Sequence, residues 1–97
     1  MTQIIETPTI PLDDLEVLFA VEDLWAVIVW NDDVNTFAHV IKAMMEILKH
    51  SRERAEQLTL QVHNTGKARV AVLPKEEAWA AVQAFHARRI QATMDQA

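Results

Sequence analysis

Two short stretches hold the residues best equipped for chemistry: Trp30-Asn31-Asp32-Asp33-Val34-Asn35-Thr36-Phe37 and Gln61-Val62-His63-Asn64-Thr65-Gly66-Lys67-Ala68. The first sets an amide and two carboxylates at the exit of an apolar run. The second sets a histidine shortly before a glycine that reads as a helix stop. Asn, Asp and neutral His share one capacity, which is to accept hydrogen bonds. Brought together beside apolar side chains, they would hold a small cation that carries a hydrophobic group.

Each residue also has a plainer reading. Asn-Asp-Asp after a strand is ordinary turn chemistry, because these side chains bond their own backbone. A calcium loop is excluded, since Asp33 and Asn35 are not followed by the required glycine and downstream glutamate. A histidine near a helix C-terminus is favoured in its charged form by the dipole, whereas an acceptor must be neutral. His39, His50 and His86 lack metal-ligand spacing, so no metal or other cofactor is implied. No Ser-His-Asp or Cys-His set is visible, and the single glycine cannot build a phosphate loop. Asp32 and Asp33 are neighbours whose side chains diverge in an extended chain, so they form no acid/base dyad. An enzyme is not expected.

The elements that must position these residues follow from apolar periodicity. Leu24 to Trp30 is β-branched and aromatic and reads as a buried strand. Period two puts Trp25 and Trp30 on opposite faces, so one should leave the core. Thr36 is a candidate N-cap. Phe37, Val40, Ile41, Met44, Met45 and Leu48 then give the stripe of an amphipathic helix ending near His50, with the methionines as core filling. Ser51 caps a second helix from about Arg52 to His63, with Ala55, Leu58 and Val62 inward and Gly66 as its left-handed stop. Lys67 to Leu73 alternates, with Ala68, Val70 and Val72 on one side. Pro74 suits the first turn of a third helix, with Ala78, Val82 and Phe85 inward. Ile90 to Ala97 is an ambiguous tail, over which propensity would let the helix run on because no Gly or Pro interrupts it.

Met1 to about Pro11 reads as a flexible arm. Leu12 to Asp23, crowded with carboxylates, is open between a short helix and an extended strip. The arm is taken as residues 1–22 and the folded core as residues 23–97. Ninety-seven residues at 51% apolar content suit one small domain. A net charge of −5 argues against nucleic-acid or anionic-membrane partners. There is no cysteine, hence no disulfide or thiolate chemistry. No signal peptide or spanning stretch is seen, so a cytoplasmic monomer is expected.

Taken in order, these segments resemble the ClpS family, small adaptors that deliver N-degron substrates to Clp-type ATP-dependent proteases. The carriers are Val27-Ile28-Val29-Trp30-Asn31-Asp32-Asp33, Asn35-Thr36-Phe37 with Val40-Ile41, Ala55-Glu56-Gln57-Leu58, Leu60-Gln61-Val62-His63 and Gly66-Lys67-Ala68. The likeness runs from about Trp25 to the C-terminus. It implies an α+β sandwich of about three antiparallel strands against three helices, in the order β-α-α-β-(β)-α-β. In proteins it resembles, a free α-amino group is held at the positions of Asn31, Asp33 and His63, with Asp32 close by. The side-chain pocket is lined at the positions of Val29, Trp30, Asn35, Phe37, Val40, Thr59, Val62 and Ile90. Thr59 stands where most relatives carry a methionine that gates the pocket, and Phe37 replaces another frequent methionine.

The resemblance further implies peptides beginning with Phe, Leu, Tyr or Trp as ligands and a Clp-type AAA+ unfoldase as partner, with the arm taking part in handover. The chemistry suits those residue types: an α-amino group titrates near 8, is mostly cationic at neutral pH and offers three donors. The competing reading is a general protein-interaction or ribosome-associated α/β domain in which Asn31-Asp32-Asp33 is only a turn.

Overall fold

The run Leu-Trp-Ala-Val-Ile-Val-Trp forms strand β1 (Leu24–Trp30), the centre of a three-stranded antiparallel sheet ordered β2-β1-β3. In this computed structural model residues 23–97 are described, and the proposed arm, residues 1–22, lies outside them. After β1 come α1 (Phe37–Leu48), α2 (Arg52–Thr65), β2 (Lys67–Pro74), α3 (Lys75–Ala87) and β3 (Ala92–Gln96). A central strand must satisfy both edges, and β1 pairs with β2 and β3 along almost its whole length. That explains its apolar, β-branched and uncharged sequence.

Helix boundaries follow the capping chemistry. Thr36 Oγ1 accepts from the His39 N–H at 3.1 Å and Ser51 Oγ from the Arg54 N–H at 3.1 Å, so each hydroxyl satisfies one orphan donor. Gly66 ends α2 at φ 92°, its N–H bonded to the Val62 carbonyl at 2.9 Å. α1 stops at Leu48, before the expected His50, because Lys49 turns left-handed at φ 61°. His50 Nε2 then bonds the Val70 carbonyl at 2.7 Å.

Three details depart from the sequence pattern. Val72, expected inward, is 44% exposed, while Ala71 and Leu73 pack on the core. A bulge is the cause: Val27 pairs with Ala71 and Ile28 with Arg69, leaving Val70 extra, and every residue beyond it changes face. Pro74 closes β2 and caps α3 at ψ 153° instead of opening the helix. With Lys75 already helical, no residues remain for the optional strand between β2 and α3. The C-terminal segment resolves as a strand, because the Ile90 N–H returns to the Phe85 carbonyl at 3.0 Å and Arg89 adopts φ 63°, breaking the helix.

The core joins one sheet face to the helices through Val27, Val29, Met44, Leu58, Phe85 and Ile90, all at 2% exposure or less. Burying side chains of this size supplies about 1.5–3 kcal/mol each, the main favourable term in so small a domain. Trp25 packs against that core, whereas Trp30 is 37% exposed, as their opposite parity requires. No helix among the described residues is long and apolar enough to cross a membrane.

Candidate functional site

The last rung of the β1–β2 ladder brings the two reactive stretches together. Trp30 pairs with Lys67, and the Asn31 N–H donates to the Gly66 carbonyl at 2.9 Å. His63 lies one turn before Gly66 in α2, so the same closure delivers it beside the Asn31 loop. On the other edge the Trp30 N–H donates to the Gln91 carbonyl at 3.0 Å, which draws in Ile90. The site is thus built where three elements end at one corner of the sheet.

A cavity of about 230 Å³ opens at that corner, lined by Val29, Trp30, Asn31, Asp32, Asp33, Asn35, Thr36, Phe37, Val40, Thr59, Val62, His63 and Ile90. All twelve residues singled out from the sequence border this one space, and Thr36 joins them. Thr36, the N-cap of the following helix, lines the cavity as well, as its place between Asn35 and Phe37 in the sequence signals. Val29, Thr59, Val62 and Ile90 form the buried floor, each at 5% exposure or less. An apolar cavity of about 150 Å³ takes up benzene, so this one has room for a benzyl or isobutyl group.

Phe37 was expected on the inward stripe of α1 but is 45% exposed. It is the first helical residue, and its ring meets that of His63 edge to face at 5.0 Å. The pair forms one wall of the rim.

The polar residues divide into two groups. Asp32 is committed to the loop: Oδ1 accepts from the Val34 N–H at 2.8 Å and the Asn35 N–H at 2.9 Å, and Oδ2 from the Asn35 amide at 2.9 Å. These bonds, the Asn35 N–H foremost, hold its carboxyl below the usual carboxylate range. Partial burial opposes the shift, and the charge of His39 assists it. Asn35 Nδ2 also donates to the Arg89 carbonyl at 2.7 Å, and His39 Nε2 meets the Arg88 carbonyl at 2.8 Å. Arg88 in turn pairs with Glu46 at 2.7 Å. Loop and α3–β3 corner are therefore fastened together, which fixes Ile90 under the cavity.

Asn31, Asp33 and His63 form the second group. Their side chains are exposed and make no hydrogen bond to another described residue. His39, His50 and His86 each meet a backbone carbonyl through Nε2 and serve the fold, whereas the His63 ring at the rim bonds no other described residue. The turn reading thus describes Asp32, and the acceptor reading has Asn31, Asp33 and His63 to work with. Trp30 faces outward, its Nε1 donating to Thr93 Oγ1 at 2.9 Å and Lys67 Nζ lying 4.9 Å from its ring centre. Among the described residues no cluster of three His, Asp or Glu side chains could hold a metal ion.

Comparison with known proteins gives concordant results. Residues 20–95 match the family described as ATP-dependent Clp protease adaptor protein ClpS. The ClpS adapter of Corynebacterium efficiens is 40% identical over 73 residues, covering 75% of this chain and 72% of its own length. That of Mycobacterium leprae is 40% identical over 72 residues, covering 74% and 67%. That of Corynebacterium glutamicum is 36% identical over 91 residues, covering 94% and 90%. Among solved structures, Agrobacterium tumefaciens ClpS2 bound to L-phenylalaninamide superposes with a TM-score of 0.73 at 18% identity, over 78% of this chain and 99% of that one. This last likeness speaks for the fold.

Proposed function

The chain belongs to the ClpS family of Clp protease adaptors, and on that premise we propose that its corner cavity receives the first residue of a protein with a bulky hydrophobic N-terminus. The observation that carries this reading is the set of acceptors Asn31, Asp33 and His63, unengaged by any other described residue, on the rim of a cavity with a buried, largely apolar floor. An α-ammonium group offers three donors in a small space, and the rim offers an amide oxygen, a carboxylate and an imidazole nitrogen. The phenylalaninamide of the A. tumefaciens structure has the matching form, a free amine beside a benzyl group.

The energetics suffice. Hydrogen bonds to a charged group contribute about 1.5–3 kcal/mol each, and burial of a Phe or Leu side chain about 1.5–3 kcal/mol more. After the cost of association this sum supports binding in the micromolar range or tighter. Acetylation, or a small first residue, removes one half of the interaction. The adaptor performs no chemistry on its ligand. Residues 23–97 form the binding core, residues 1–22 act as the arm, and the complex is handed to a Clp-type AAA+ unfoldase.

The test is a fluorescence titration with peptides that differ only in their first residue. Phe, Leu, Tyr and Trp should bind, while Ala, Gly and Asp should bind at least tenfold more weakly. Equal affinity across that set rules out the pocket as the recognition element. A matching degradation assay with a Clp unfoldase and its peptidase should show the same ranking.

A further inference from the structure

Thr59 is the one polar side chain in the cavity's buried floor, at 3% exposure. Its Oγ1 lies 4.0 Å from Met44 Sδ, a buried sulfur that is not part of the cavity lining. Thioether sulfur is a weak acceptor, and no nitrogen or oxygen among the described residues bonds this hydroxyl. A threonine in mid-helix commonly turns its hydroxyl to the carbonyl four residues back, and here that bond is not made. The oxygen therefore keeps its lone pairs, with no donor among the described residues, on a side chain that is buried in the floor of the cavity. Val29, Val62 and Ile90 around it offer no donor from their side chains. A buried oxygen in this condition is completed by a ligand that brings a proton.

We propose that Thr59 makes the cavity prefer tyrosine to phenylalanine as the first residue, by accepting the phenolic O–H at the pocket floor. The inference rests on the reading of the cavity as the site for a first side chain and adds which side chain it favours. The para hydroxyl of tyrosine lies at the tip of the ring, farthest from an amine held by Asn31, Asp33 and His63 at the rim. The rim acceptors are exposed and Thr59 is buried in the same cavity, so an aromatic residue held by its amine at the rim carries its para position toward the floor. Phenylalanine fills the same volume but leaves the Thr59 oxygen unpaired and must bury it further. A site with a hydrogen-bonding group in place discriminates against the analogue that lacks the partner.

The experiment measures dissociation constants for peptides identical except for first-residue Tyr, Phe or 4-fluorophenylalanine, on the full chain and on T59V and T59S. A neutral hydrogen bond in a buried site corresponds to roughly three- to tenfold in affinity. The wild-type chain should favour Tyr over Phe by that factor, with 4-fluorophenylalanine ranking beside Phe. In T59V, which keeps the shape and loses the hydroxyl, the Tyr-to-Phe ratio should fall to about one, and in T59S it should persist. A wild-type ratio of one, or an unchanged ratio in T59V, overturns the proposal while leaving the pocket intact. Failure of all three peptides to bind the wild-type chain overturns the pocket reading as well. Should T59V not fold, the wild-type ranking of Tyr against 4-fluorophenylalanine decides alone.

Discussion

Replacing His63 by alanine separates a recognition residue from a structural one. The ring is exposed, bonds no described residue, and touches the fold through its edge-to-face contact with Phe37 at 5.0 Å. An aromatic pair contributes about 0.5–1.5 kcal/mol, and its exposed position puts this one at the low end. A loss of about 0.5 kcal/mol lowers the Tm of a domain this size by about 2–4 °C. The effect on binding should be larger. One hydrogen bond from an ammonium group is removed, worth about 1.5–3 kcal/mol, or at least tenfold in Kd. Fluorescence anisotropy with a Phe-initiated peptide measures the second quantity and a thermal melt the first. H63Q, which retains an acceptor, should recover part of the affinity. An H63A affinity within about twofold of wild type, or a loss that parallels collapse of the melt, refutes the reasoning.

Further expectations concern the frame around the cavity. D32A removes three accepted hydrogen bonds from a partly solvated loop and should cost about 1–2 kcal/mol at neutral pH. Because the folded carboxyl is held below its ordinary value, its contribution is complete above the unfolded pKa near ~3.9 and fades as pH falls through the folded one. Urea melts of wild type and D32A should therefore converge in acid, and parallel curves would contradict the assignment. G66A meets no atom within 4 Å at its new Cβ, so its cost comes from the left-handed backbone at φ 92°, about 1–2 kcal/mol by melt. An unchanged melt there would show that Gly66 is not the required stop. K49G relieves a left-handed lysine at φ 61° and should raise stability by about 0.5–1 kcal/mol. A destabilised K49G would show that the lysine stem packs usefully.

The sequence disclosed most where local chemistry decides. The uncharged β1 run, the Thr36 and Ser51 caps, the Gly66 stop and the inward positions Ala55, Leu58, Val62, Ala78, Val82 and Phe85 all follow from period and propensity. What escaped depends on partners distant in the chain. The Val70 bulge exists because β1 and β2 lose register, so strict alternation misplaced Val72. Lys49 carries no mark of a left-handed stop, since lysine does not favour that conformation. Ile90–Ala97 has no breaker of its own, and its strand is created by pairing with β1. The site shows the same division. Residue types in the two stretches suggested acceptors for a cation, while their meeting depends on the Trp30–Lys67 rung and the Asn31–Gly66 bond. Asp32, which the resemblance puts close to the amine, reads in isolation as turn chemistry, and its three accepted bonds show how fully that turn is made.

The central claim is that this corner holds a free amine and its neighbouring side chain together. The most direct measurement is calorimetric titration of the chain with a Phe-initiated peptide and with the same peptide acetylated at its N-terminus. The account requires binding in the micromolar range or tighter for the free amine and a loss of at least a hundredfold on acetylation. Equal affinity for the two peptides would mean that Asn31, Asp33 and His63 hold no ammonium group.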